Sequence, residues 1–199
     1  MQSRFGADTG QKIRRSDDTE SNEVRLIRMV AAGDRPAFNT MYRAYFPRLQ
    51  RFLDRMTRSI TTIEEVINDT MLVVWRKAGT FDASCKVSTW VFAIAYRTAL
   101  KALKYLDEPL DFDETHYHSE DAVEPDMQFS LKQLQHHVAH AMRSLPFEQR
   151  IVVSLTYYHG ADYSEIAEIM ACPLNTVKTR MFLARKRLKG LLADQWGEN

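Results

Sequence analysis

Residues 161–191 read ADYSEIAEIM ACPLNTVKTR MFLARKRLKG L, and this stretch decides the fold of the C-terminal half. Its first ten residues predict a short helix whose apolar positions face one way: Ile166, Ala167, Ile169 and Met170. Residues 171–174 include a proline and are too few to continue that helix, so they predict a tight turn. Asn175-Thr176 then predicts the N-cap of a second helix.

The second helix has two faces of opposite character. Its apolar residues recur at helical spacing: Val177, Met181, Ala184, Leu188 and Leu191. The other face is basic, with no acidic residue between positions 175 and 190: Lys178, Arg180, Arg185, Lys186, Arg187 and Lys189. Together these features predict a helix-turn-helix whose second helix enters DNA. A solvated face on an ordinary bundle is less favoured, because turn length, cap, core spacing and one-sided charge all agree.

Length and composition limit the number of domains and the location that the chain can have. The chain has 199 residues, a net charge of +1 and 45% hydrophobic residues, which suits one large or two small domains with packed cores. No apolar run approaches the length that spans a bilayer, and the N-terminus lacks the apolar centre of a signal peptide. A cytoplasmic location is therefore predicted. Cys85 and Cys172 are far apart in sequence and fit reduced thiols better than a disulfide.

Periodicity predicts an all-α fold of two small helical domains joined by a flexible acidic linker. Residues 1–20 have few large apolar side chains and predict a disordered tail. Residues 21–105 predict the first helical domain, and residues 127–194 the second, which holds the helix-turn-helix. The linker, 106–126, has nine acidic residues and no Lys or Arg. Its composition predicts a spacer rather than a core element.

Four local signals predict where helices of the first domain start or stop. Asp34 predicts the N-cap of the second helix, and Pro47 a break or kink within that helix. Thr61 and Thr62 each stand three residues before a glutamate, which predicts a double capping box. Ser88 or Thr89 predicts the cap of the last helix, which should end near residue 105.

Six segments, in order, resemble the extracytoplasmic-function sigma factors of bacterial RNA polymerase. In the first domain these are LIRMVAAGD (26–34), FxxMYxxYxPRL (38–49), EEVINDT (64–70) with Trp75, and STWVFxIA (88–95). In the second domain they are LPxEQR (145–150) and NTVKTRMxxAR (175–185). The resemblance spans residues 21 to 192, and each half matches independently. A lone helix-turn-helix would be weak support, but this combination is highly specific.

The resemblance implies a factor that recruits core polymerase to two promoter elements, −35 and −10, and helps to melt the second. The −35 element would be contacted by Asn175, Thr176, Lys178, Thr179, Arg180, Phe182 and Arg185. The −10 element would be contacted by Phe81, Ser84, Cys85, Lys86, Ser88, Trp90, Arg97 and Lys101. Core polymerase would bind Glu64, Glu65, Asn68, Asp69 and Trp75. These residue types suit the chemistry, since basic groups bond guanine and phosphate, and aromatic rings stack on unpaired bases.

Three aromatic assignments stay open at this point. Trp90 shares its helical phase with Ile94, which favours the core over a stacking platform, and Tyr96 has the same ambiguity. Phe182 lies off the apolar stripe of its helix, so it either faces DNA or packs against the neighbouring helix.

The predicted docking helix departs from the family pattern. Members usually carry acidic residues just before this helix, whereas this chain has Thr61, Thr62 and Ile63 there. The favoured interpretation is that both threonines are helix caps. The alternative is that Thr62 or Thr61 is phosphorylated by a regulatory kinase, which would restore negative charge at a helix N-terminus.

The sequence also predicts partners of the chain and disfavours two other functions. The resemblance implies core RNA polymerase, promoter DNA and an anti-sigma factor as partners of a chain that is otherwise monomeric. The acidic linker would enter the polymerase channel for nascent RNA, or serve only as a spacer. A DNA-binding repressor remains an alternative, but it would not need residues 21–105. A metal-dependent enzyme or sensor using His136, His140, His116 and His118 is the third option, although no Glu or Cys stands at a matching spacing. No metal, cofactor or enzymatic activity is predicted.

Overall fold

The computed structural model describes residues 22–105 and 137–196, and every described secondary-structure element is helical. The elements are α1 (22–31), α2 (Arg35–Leu53), α3 (Ile60–Lys77), a 3-10 turn (Ala78–Thr80), α4 (Val87–Tyr105), α5 (137–143), α6 (Phe147–His159), α7 (Tyr163–Ile169) and α8 (Leu174–Trp196). The all-α fold is thus confirmed. The predicted tail, 1–20, and the predicted linker, 106–126, lie outside the described residues.

Helix α2 begins as predicted but does not break where predicted. The Asp34 carboxylate accepts a hydrogen bond from the Ala37 amide at 2.9 Å, and Pro36 occupies the first turn. The helix then continues through Pro47, so of the expected break or kink the break is wrong. Pro47 is exposed, while the buried stripe Met41, Tyr45, Leu49 and Phe52 runs past it. Burial of that stripe outweighs the single backbone hydrogen bond that proline removes.

Helices α3 and α4 both start before their predicted caps. Ser59, not Thr61 or Thr62, caps α3, because its hydroxyl accepts a hydrogen bond from the Thr62 amide at 3.2 Å. The Thr62 hydroxyl in turn donates to Ser59 Oγ at 2.8 Å. Helix α4 begins at Val87, so Ser88 and Thr89 lie inside its first turn rather than at the cap.

The helix-turn-helix is present, with one cap displaced. Gly160, at φ +66°, ends α6, and Asp162 caps α7 in a capping box with Glu165. Ala171, at φ +50°, then turns the chain towards α8. Helix α8 starts at Leu174, so the predicted cap Asn175-Thr176 is wrong and both residues lie in the first turn. The preceding proline explains the earlier start, since its carbonyl accepts the Thr176 amide at 2.9 Å.

The two predicted domains are packed against each other. Helices α2, α3 and α4 pack together in the N-terminal half, and α6, α7 and α8 in the C-terminal half. Helix α4 also packs along α7, and α2 contacts α6. The buried apolar side chains of both halves consequently form one continuous cluster. We call this junction the interdomain seam; it comprises Phe52, Arg55, Lys86, Thr89 and Phe92 on one side and Tyr158, His159 and Glu165 on the other.

Candidate nucleic-acid interface

The outer face of α8 is exposed and basic. Val177, Met181 and Ala184 are buried against α6 and α7, which turns the opposite face outwards. The exposed candidates for DNA contact are Asn175, Lys178, Thr179, Phe182 and Arg185, with Thr176 half-buried beside them. Phe182 is 67% exposed, which removes the alternative that it packs on a neighbouring helix. An exposed aromatic ring among cations suits contact with bases or sugars.

Arg180 differs from the other α8 candidates because its side chain turns inwards. One guanidinium nitrogen lies 3.6 Å from Cys172 Sγ, and another lies 3.9 Å from a Glu148 carboxylate oxygen. Burial raises the pKa of Tyr96 on α4, and the positive charge of Arg180 offsets part of this rise. In this conformation the Arg180 side chain therefore lies towards α6 and the turn before α8 instead of facing outwards.

The loop before α4 and the helix itself carry the candidates for −10 contact. Phe81 stacks edge-to-face on Trp90, with ring centroids 5.7 Å apart, so the half-buried Trp90 supports the loop. Asp82 accepts a hydrogen bond from the Ser84 amide at 2.9 Å, and hydrogen bonds from Ser84 lower the pKa of Asp82. Arg97 and Lys101 are exposed further along α4. The candidates for −10 contact therefore lie on one helix and on the loop that precedes it.

The start of α4 is covered by α7, which the sequence did not reveal. Lys86 Nζ lies 3.0 Å from Glu165 Oε1, and the Thr89 hydroxyl donates to the same oxygen at 3.2 Å. Cys85 lies close to Glu168; burial and then this carboxylate raise the pKa of the Cys85 thiol, which disfavours a reactive thiolate. The sequence predicted a DNA contact for Lys86 and only a cap for Thr89, and it gave no sign of their contact with Glu165, because periodicity carries no signal for a contact between separate domains.

Helix α3 presents an exposed acidic face. Glu64, Glu65, Asn68 and Asp69 are all exposed and lie on neighbouring helical positions, and the Asn68 side chain accepts a hydrogen bond from Tyr42 Oη at 2.9 Å. Leu72 extends this face and is 44% exposed. Trp75 differs, because it is half-buried and packs edge-to-face on Phe38 at 5.1 Å. An acidic face with an exposed leucine suits a basic protein partner.

The two threonines at the start of α3 differ in exposure. Thr62 is only 6% exposed and its hydroxyl is bonded to Ser59, whereas Thr61 is exposed. Within the part of the chain that the structure describes, no three His, Cys, Asp or Glu side chains converge as a metal site would require. His116, His118 and His136 lie outside that part. None of the described helices is both long and apolar enough to cross a membrane.

Comparison with known proteins identifies both halves of the chain. Residues 41–108 match the model of Sigma-70 region 2, and residues 136–188 match that of Sigma-70, region 4. The ECF RNA polymerase sigma factor RpoE of Cereibacter sphaeroides is 30% identical over 157 residues, which cover 78% of this chain and 86% of that protein. The chain belongs to the ECF sigma factors. This sigma factor is accordingly a transcription initiation factor that brings RNA polymerase to promoters, not an enzyme.

Two solved structures resemble most of this sigma factor. CnrH, solved in complex with the cytosolic domain of CnrY, has a TM-score of 0.63 and 19% identity, and the match covers 87% of this chain and 98% of CnrH. This likeness concerns the fold alone. The sigma factor RpoE of Bartonella quintana, solved with the anti-sigma factor NepR, has a TM-score of 0.58 and 25% identity over 78% of this chain and 96% of that one.

Proposed function

We propose that α8 reads the −35 element of the promoter. The observation that carries this proposal is the exposed face of α8, where basic side chains surround Phe182 on the second helix of a helix-turn-helix. Such a helix lies in the major groove with its N-terminal residues at the base edges. Asn175, Lys178 and Thr179 in the first two turns would therefore read bases. Arg185, further along the helix, would hold phosphate.

The −10 element is assigned to the start of α4 and the loop before it. Single-stranded DNA binds where a basic track lies beside aromatic surfaces. The loop with Phe81, Ser84 and Cys85 would form the base pocket, supported by Trp90. Lys86, Ser88, Arg97 and Lys101 would follow the sugar-phosphate backbone along α4. In this assignment Trp90 acts by holding Phe81 in place, because Trp90 itself is half-buried.

Helix α3 is assigned to core polymerase. Its exposed carboxylates Glu64, Glu65 and Asp69, together with Asn68, face solvent on one side. Trp75 would support this surface through Phe38 rather than contact the polymerase. Both core polymerase and promoter DNA are partners inside the bacterial cell, so we place the chain in the cytoplasm.

Two regulators are compatible with the chain. The likeness to a sigma factor solved with NepR supports an anti-sigma factor as partner. Phosphorylation by a kinase is the alternative, and exposure favours Thr61 as its target, because Thr62 is buried and bonded to Ser59. A phosphate on Thr61 would lie in the first turn of α3, where the helix dipole favours negative charge.

Comparison of Lys178→Ala with Lys186→Ala tests the −35 assignment. Both lysines are exposed on α8, but only Lys178 lies in the turns expected at base edges. With core polymerase bound, Lys178→Ala should weaken binding to the cognate promoter by about 1–3 kcal/mol if Lys178 bonds a base. Its effect on a promoter with a scrambled −35 element should be smaller. Filter binding or fluorescence anisotropy on both promoters gives the comparison.

Lys186→Ala is the matched control for charge. It should weaken binding to both promoters equally and reduce the salt dependence, as loss of a phosphate contact does. If Lys178→Ala also affected both promoters equally, base reading by Lys178 would be disproved. The remaining contribution of α8 would then be attraction to phosphate alone.

A further inference from the structure

Helix α7 of the helix-turn-helix lies on the start of α4, which is part of the surface to which −10 DNA is assigned. Helix α7 packs along α4, and one oxygen of Glu165 contacts both Lys86 Nζ at 3.0 Å and the Thr89 hydroxyl at 3.2 Å. An ammonium and a hydroxyl that share one anionic oxygen form the arrangement that also binds a backbone phosphate. A DNA strand at the start of α4 must therefore displace the Glu165 carboxylate.

A second group of contacts closes the seam at the end of α6. The His159 ring lies against Phe92 at 4.8 Å and against Phe52 at 5.9 Å between centroids. Next to it, the Arg55 guanidinium lies over the Tyr158 ring at 5.0 Å. These contacts involve no residue assigned to −10 DNA. The two halves are thus held together by the Glu165 contacts at the start of α4 and, separately, by these ring contacts at the end of α6.

The seam has features of an interface that can open. A cavity of about 90 Å³ lies within it, lined from both sides by polar residues that include Arg48, Ser88 and His159. Glu165 also accepts the Asp162 amide at 2.9 Å, through its other oxygen, so it retains a partner when the seam separates. The Lys86 side chain is 48% exposed and can be solvated at once. The seam thus has a polar part beside its apolar contacts, and interfaces between domains separate more readily where they are polar.

We propose that the free sigma factor closes on itself, with the Glu165 carboxylate occupying the position of a −10 DNA phosphate on Lys86 and Thr89. The proposal rests on the proposed function of α4. Closure and −10 binding exclude each other, so the apparent affinity for the −10 strand equals the affinity of the open form multiplied by its population. By the same linkage, a bound −10 strand holds the chain open.

The test compares Glu165→Gln and His159→Ala in the full chain at pH 8. Glutamine removes the charge opposite Lys86 but retains a capping oxygen for Asp162, so α7 is preserved. His159→Ala removes the ring between Phe52 and Phe92 without a change of charge and without touching the −10 residues. Small-angle X-ray scattering measures closure, and fluorescence anisotropy with a single-stranded −10 oligonucleotide measures binding.

Both variants should increase the radius of gyration and tighten binding of the oligonucleotide. If the closed form is nine-tenths of the population, the gain is about tenfold. Asp54→Asn, which removes an exposed carboxylate at the end of α2, should change neither measurement. Lys86→Ala should weaken binding in every background.

Three outcomes separate the alternatives. A gain in Glu165→Gln without a gain in His159→Ala would overturn the proposal, because Glu165 would merely repel DNA. An already extended wild-type chain that the variants do not expand would overturn it as well. The third outcome is that both variants expand without binding the oligonucleotide more tightly, and that Lys86→Ala does not change binding. This result would establish closure but would refute the assignment of −10 DNA to α4.

Discussion

His159 makes the interdomain seam sensitive to pH. Burial, followed by the charges of Arg48, Arg51 and Arg55 on α2, lowers the pKa of His159 from 6.5 to about 4. On the α4 and α7 side, Lys86 and Glu165 line the same cavity. The neutral imidazole therefore favours the closed form. This contribution is complete above pH 6.5 and is lost as the pH falls towards 4.

We expect the ratio of open to closed chain to rise about tenfold between pH 7.5 and pH 5.5, if the open form has the ordinary histidine pKa of 6.5. Small-angle scattering across this range measures the change. His159→Phe keeps an aromatic ring between Phe52 and Phe92 but cannot be protonated. A pH dependence that persists unchanged in His159→Phe would show that other groups cause the opening.

Among the single elements, α3 allows its proposed docking role to be tested separately from folding. Glu65 and Asp69 are exposed on α3 and are not among its buried residues. Replacing either by lysine should change the free energy of unfolding by no more than about 0.5 kcal/mol, as expected for exposed carboxylates. The same change opposes a basic polymerase surface with like charge and should abolish binding.

Pull-down with core polymerase measures binding in this experiment, and thermal or urea unfolding measures stability. Asp54→Lys, on the end of α2, is the control for an equal change of charge outside the α3 face. It should bind core polymerase as the wild type does. Equal loss of binding in Asp54→Lys would mean that net charge, not the α3 face, controls docking.

The elements also show which features a single sequence can predict. The first three positions of the predicted α8 stripe, Val177, Met181 and Ala184, follow the helical period and are buried. Leu188 and Leu191, further along the same stripe, are only half-buried. Caps were less predictable. Ser59 displaced Thr61 and Thr62, because several hydroxyl residues in one short stretch compete for the same role and only the final packing selects one.

Pro47 and Phe182 illustrate two further limits. Pro47 predicted a break or a kink, and burial on both sides of it maintained α2 as one unbroken helix. For Phe182 the sequence left two alternatives, packing on another helix or exposure to solvent. Periodicity places a residue on one face of a helix but does not show whether another helix covers that face. In the structure Phe182 is exposed. The contacts of Glu165 and His159 across the seam were not predictable, because they join residues more than 60 positions apart and depend on tertiary packing.

For the molecule as a whole, the seam gives a reason why promoters would be selected only by the chain that is bound to core polymerase. The α8 face proposed for −35 DNA and the α4 surface proposed for −10 DNA belong to separate halves, and α7 lies on the start of α4. A single recognition helix makes few phosphate contacts and has no second half-site. Two weak sites become effective only when they are held at the spacing of the promoter. Core polymerase would provide that spacing and stabilise the open form.

We therefore expect the free chain to discriminate poorly between its promoter and a scrambled duplex. With core polymerase, cognate affinity should reach roughly 10 nM or tighter, as for specific DNA-binding proteins. Measuring the dissociation constants of both duplexes with and without core polymerase, at one fixed salt concentration, gives the specificity ratio in each state. The Glu65→Lys variant is the internal control, because it should retain the weak binding of the free chain and gain nothing from core polymerase. Nanomolar, specific binding by the free chain would contradict this account, since the two faces would then act without the polymerase to open and space them.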